Sequence, residues 1–167
     1  MITLKTTADD HKIAKLAALA ISLHLIEAVI PSPLPGVKPG IANIVTLYVL
    51  YEYGFSTAAW VNLLRVFASS FLLGQFLTPT FVLSLSGALL SLATLALSYK
   101  LPKIYFSPIS LSILAAFAHI AAQLIIVRLW VIPQAGIAYL VPIFALAALI
   151  FGLSNGLIVR YLLNKAD

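Results

Sequence analysis

Long apolar runs, broken by short clusters of proline, glycine and charge, organise the chain. They cover 13–30, 41–53, 57–76, 80–98, 110–129 and 139–163. A helix rising about 1.5 Å per residue needs roughly 20 apolar residues to cross a bilayer, and most of these runs approach that length. The run at 41–53 is short, so it either begins within the preceding connection or is tilted and broken. Between the first two runs stand Pro31, Ser32, Pro33, Pro35, Gly36, Pro39 and Gly40. Proline removes amide donors and restricts its predecessor, so 31–40 is a loop. Pro79, and later Pro133 with Gly136, mark further connections. The pattern predicts an all-α integral membrane protein, a bundle of six transmembrane helices with a Pro/Gly-rich outer loop between helices one and two. Residues 1–167 form a single domain in which 1–12 is a cytoplasmic tail.

Composition agrees with this pattern. The 167 residues are 62% apolar and 9% charged, against about 25% charged in soluble domains. A water-soluble chain this short has too little interior to hide so much apolar surface. Strands of a membrane barrel alternate apolar and polar residues, whereas here the runs are unbroken. The net charge of +5 is too scattered for a nucleic-acid stripe and sorts instead by topology. With six crossings, Lys5, Lys12, Lys15, Lys100, Lys103, Arg160 and Lys165 share one side, leaving Lys38 and Arg128 near the other. Basic residues concentrate on the cytoplasmic side, which places both termini there and the protein in the cell's plasma (inner) membrane. Five crossings would separate Arg160 and Lys165 from the N-terminal lysines. Lys12 and Lys15 stand at the start of the first run, which has no small-x-small cleavage site behind it, so that helix is retained. The absence of cysteine excludes disulfides, cysteine-ligated zinc and thiol catalysis.

Small residues recur at helical spacing. Ser84, Gly87, Ser91, Thr94 and Ser98 line one face of the fourth run, Ala14, Ala18 and Ser22 one face of the first, and Gly152 and Gly156 mark the sixth. Such rows let helices approach closely in lipid. Internal packing explains each of them, and the row on the first run is also open to a partner. Tyr48, Tyr51, Tyr53, Trp60, Tyr99, Trp130, Tyr139 and Tyr161 fall near run ends as an interfacial aromatic belt.

Ionisable groups inside a bilayer are costly and mark function or internal pairing. Glu27 shares a helix face with His24, Arg65 lies in the third run near Asn62 and Ser69, and His119 shares a face with Gln123. Lys38, Asn43 and Arg128 fall toward the outer side. Together Glu27, Lys38, Asn43, Arg65, His119 and Arg128 form a candidate net-positive pocket for a small molecule bearing an anionic group. Two uses compete for several of them: Arg128 also suits snorkelling to the interface, Arg65 suits pairing with Glu27, and His119 with Gln123 suits an interhelical hydrogen bond. No catalytic residue is expected. Gly152-Leu153-Ser154-Asn155-Gly156 matches the nucleophile-elbow pattern, but that motif needs a strand-to-helix turn and here lies in an apolar helix. No metal-ligand spacing, P-loop or carboxylate cluster for magnesium is present, so neither metal nor cofactor is expected.

The segment Pro35-Gly36-Val37-Lys38-Pro39-Gly40-Ile41-Ala42-Asn43-Ile44-Val45-Thr46-Leu47, with Glu27 shortly before Pro31, resembles the family called Gx transporters, also labelled heptaprenyl diphosphate synthase component I. Pro39 stands where that family usually has leucine. Arg65, Gly74 and Ser86-Gly87 follow its later pattern, so the resemblance spans nearly the whole chain. The family is similar to the substrate-capture (S) subunits of energy-coupling factor vitamin transporters. That similarity implies six helices, cytoplasmic termini, a lid formed by 31–40, and an A-x-x-x-A seam docking a transmembrane coupling subunit, matched by Ala14 and Ala18. It implies uptake of a vitamin-like or isoprenoid-related molecule, with separate ATPase subunits as partners. The alternative is a non-catalytic membrane partner of a polyprenyl diphosphate synthase, since the two aspartate-rich motifs of such enzymes are missing.

Overall fold

Thr7 starts the first helix, α1 (Ala8–Val29), through a capping box. Its hydroxyl accepts the Asp10 amide, and its own amide donates to the Asp10 carboxylate at 2.8 Å, satisfying two groups that a helix start leaves unpaired. The Thr7 amide also holds the Asp10 carboxyl below the ordinary aspartate range. The computed structural model describes residues 7–31, 38–99, 107–131 and 135–166. Lys5, most of the loop at 32–37, Lys100, Lys103 and Pro133 lie outside the described residues. The remaining helices are α2 (Ala42–Leu72), α3 (Pro79–Tyr99), α4 (Pro108–Ile126) and α5 (Val141–Ala166). A π-helical turn, Val127–Val131, extends α4, and a 3-10 turn, Ala135–Leu140, leads into α5. Among the described residues there is no strand.

The expected six helices form as five. The runs at 41–53 and 57–76 share α2, with no loop between them, because the break occurs at one residue. Gly54 has φ +83 and ψ 174, a region open essentially to glycine alone. Asn43 and Asn62 line one cavity, although a straight helix would hold them about 28 Å apart. The two halves of α2 therefore fold back toward each other at Gly54. The second half ends in a Schellman motif, with the Gly74 amide donating to Phe71 O at 3.2 Å and the Gln75 amide to Ser70 O at 2.8 Å.

Four helical segments are long and apolar enough to cross a membrane: Ala42–Leu72, Pro79–Ser98, Pro108–Val131 and Gly136–Lys165. They make this a multi-pass membrane protein. Leu97, Leu129, Leu146 and Tyr139 are exposed on the outside of the bundle, as lipid-facing surface should be. α1 is more polar, carrying Asp9, Asp10, Lys12, Lys15 and Glu27, and packs along α2. Lys12 Nζ stands 4.9 Å from the Tyr53 ring centre, beside the break, while Glu27 bonds Gly40 just ahead of α2. α1 thus runs antiparallel to the first half of α2.

The core joins Ala20 of α1, Leu47, Leu50 and Val61 of α2, Leu95 of α3, Leu111 of α4 and Val159 of α5. Glycines bring the later helices close. A Cβ at Gly156 would lie 2.6 Å from Ile109 Cα and one at Gly152 2.9 Å from Ile113 Cα, so this pair seats α5 against the α4 backbone. Gly87 makes room for the His119 ring, 2.6 Å from where its Cβ would be. The seams at 84–98 and 152–156 therefore serve internal packing. Ala14, Ala18 and Ser22 are exposed.

Candidate binding site

The folded-back α2 brings polar side chains from both halves to one place. Asn43 and Thr46 come from the first half and Asn62 from the second, and they meet Ser91 of α3, Ser112 of α4 and Asn155 of α5. These six side chains, with Leu47 and Leu95 among the apolar contacts, line a cavity of about 20 Å³. That is the room of one water-sized group. The hydroxyl of Thr46, a residue only 3% exposed, has no hydrogen-bond partner among the described residues.

Arg65 sits one helical turn beyond Asn62, on the same face of α2. It is 5% exposed, and its Nη2 donates to Asn62 Oδ1 at 2.5 Å. Its Nε is buried without a partner, and among the described residues no carboxylate lies within 4.0 Å of it. Glu27 and His24 are within its electrostatic range but make no contact pair with it. A buried guanidinium left with one amide oxygen is incompletely compensated for lost hydration.

Glu27 is also buried. Its Oε1 accepts the Gly40 amide, so its hydrogen-bonding capacity is directed at the loop end. The Asn155 side-chain Nδ2 donates to Pro39 O at 3.0 Å and Gly40 O at 3.2 Å. Residues 39–40 are thus held from two sides, by α1 and α5, at the edge of the cavity. A Cβ on Gly40 would meet Asn43 Nδ2 at 2.9 Å.

The predicted site residues separate accordingly. Asn43 lines the cavity, Arg65 reaches it through Asn62, and Glu27 latches its edge. Lys38 is exposed on the described end of the loop, within electrostatic range of Glu27. His119 belongs to the α3–α4 seam: its Nε2 lies 3.1 Å from Gln123 Nε2 and its Nδ1 has no partner among the described residues. Arg128 is exposed on the π-helical turn and is not among the residues lining the cavity.

Thr46, Ser91, Ser112 and Asn155 carry only a weak signal in the sequence: they are short polar side chains in apolar spans, and Ser91 also fits a packing row. Ser154, the serine of the elbow-like pattern, is exposed and donates to Ile150 O at 2.9 Å as an ordinary helical residue. Among the described residues no three histidine or carboxylate side chains cluster as metal ligands.

Fold and site together define a multi-pass helical membrane protein enclosing a small polar cavity with a buried cation beside it. The chain belongs to the family described as heptaprenyl diphosphate synthase component I, whose family model matches residues 16–162. That match takes in every residue of the cavity and its latch. No curated protein and no solved structure matches the chain.

Proposed function

We propose that this protein is a membrane-embedded substrate-binding subunit that captures a small molecule bearing an anionic group, for uptake energised by separate ATPase and coupling subunits. The observation that carries the reading is Arg65, a buried guanidinium with an unpartnered Nε and no carboxylate within salt-bridge distance among the described residues. Intramembrane charges of this kind mark substrate pathways, and a ligand's acid group would supply the direct ionic partner that Glu27, at longer range, does not. In this reading Lys38 and Asn43 close over the ligand, and the cavity widens when the Glu27 and Asn155 bonds to 39–40 release. The chain crosses the plasma membrane six times with both termini cytoplasmic, α1 and each half of α2 making their own crossings. The exposed Ala14–Ala18 face of α1 docks the coupling subunit.

Native mass spectrometry of gently purified protein tests this. A co-purified small molecule that disappears in Arg65→Ala is expected. No bound molecule, together with undiminished uptake in Arg65→Ala and Lys38→Ala cells, overturns it.

A second reading takes support from the family's description: a non-catalytic membrane partner that anchors a polyprenyl diphosphate synthase. Pull-down from native membranes separates the two, since ATPase subunits favour uptake and a synthase without them favours anchoring.

A further inference from the structure

We infer that the cavity between α2, α3, α4 and α5 is a second recognition subsite, one that takes an uncharged hydrogen-bonding group. The ligand then carries an acid and a neutral polar group a short distance apart. This rests on the reading of Arg65 as the partner of the acid. The polar lining consists of three carboxamides and three hydroxyls, from Asn43, Asn62, Asn155, Thr46, Ser91 and Ser112, and no ionisable side chain lines it. Such a wall offers both donors and acceptors but nothing to compensate a second buried charge. It equally disfavours a prenyl chain, which would strip these groups of partners.

Thr46 points to an occupant most directly. Thr46 lines the cavity, and its hydroxyl is buried and lacks a partner among the described residues, whereas buried polar groups are nearly always bonded. Asn62 sets the spacing. Its Oδ1 accepts from Arg65 while its side chain forms part of the cavity wall. An acid bound at Arg65 therefore places the next few atoms of the same molecule at the cavity. With about 20 Å³ available, the room of one water-sized group, a single hydroxyl fills the subsite.

The test uses full-length protein in lipid nanodiscs and titration calorimetry with chosen probes. 3-Hydroxypropionate and its one-carbon-longer homologue 4-hydroxybutyrate carry both groups, butyrate carries only the acid, and butan-1-ol only the hydroxyl. The expected result is that a hydroxy acid binds about tenfold tighter than butyrate, the discrimination of one buried hydrogen bond. Thr46→Val should remove that advantage, so that the hydroxy acid and butyrate bind alike. Ser112→Ala serves the same purpose if the valine variant does not fold. Butyrate binding as tightly as the hydroxy acids overturns the subsite while leaving the role of Arg65 intact. Butan-1-ol matching the hydroxy acids, with loss in Thr46→Val, supports the subsite and overturns the acid reading. No binding by any probe overturns both and leaves the cavity to a trapped water.

Discussion

Arg65 brings a full charge into an apolar helix, where its one hydrogen-bond partner among the described residues is the Asn62 carboxamide. Were its role structural, removing it would loosen the bundle. If it waits for a ligand, its burial is a cost in the empty protein, and replacing it with a side chain of similar length relieves that cost. Arg65→Met is expected to unfold at the same or a higher temperature than the parent, since it removes a buried charge whose desolvation a single hydrogen bond to Asn62 offsets only in part. A clear fall in unfolding temperature would assign Arg65 to the scaffold. Glu27 behaves oppositely. Its carboxylate accepts the Gly40 amide, a bond that glutamine can still accept and alanine cannot. Glu27→Ala is therefore expected to speed hydrogen exchange around Gly40 about tenfold or more, and Glu27→Gln to leave it nearly unchanged, as read by exchange mass spectrometry. Both side chains stood out in the sequence as charges in apolar runs. Their different duties did not, because Gly40 and Asn62 reach them only in the folded chain.

Two glycines shape the elements, for separate reasons. Gly54 has nothing within 4 Å of where a Cβ would stand, but its φ of +83 is left-handed. Gly54→Ala therefore acts through the backbone alone and should destabilise by about 1–3 kcal/mol. Gly156 faces the Ile109 backbone, where a Cβ would come within 2.6 Å. Gly156→Ala should cost about 1–3 kcal/mol through overpacking and push α5 away from α4. Thermal unfolding in detergent measures both, and a fluorophore pair on α4 and α5 should report a wider separation in the Gly156 variant only. The Gly152/Gly156 seam was legible because a spacing of four residues always marks one helix face. The break at Gly54 was signalled by the shortness of the run at 41–53. Its sharpness was not, since one residue can redirect a helix without a loop.

For the molecule as a whole, the testable quantity is sidedness. The chain has no cysteine, so single introduced cysteines report cleanly. Cysteines replacing Asp9 and Lys165 are expected to react with an impermeant thiol reagent only from the cytoplasmic side, and cysteines replacing Lys38 and Val131 only from outside. Labelling of positions 9 and 165 from opposite faces would overturn the six-crossing topology. Such a result would leave the cavity in place, because its walls depend on helix packing and not on orientation.

The scarcity of charge and the long apolar runs by themselves determined that this chain is helical and lives in lipid. Only helices and closed barrels satisfy every backbone amide in a bilayer, and unbroken apolar runs lack the alternation of barrel strands. Helical spacing likewise determined where helices could approach one another. Only the tertiary structure decided which polar groups share a site. Periodicity records the face of a helix on which a residue lies, and nothing about what faces it. The return of α2 at Gly54 and the glycine contacts of α5 against α4 bring Thr46, Asn62, Ser112 and Asn155 to one cavity, and leave Arg128 on the surface.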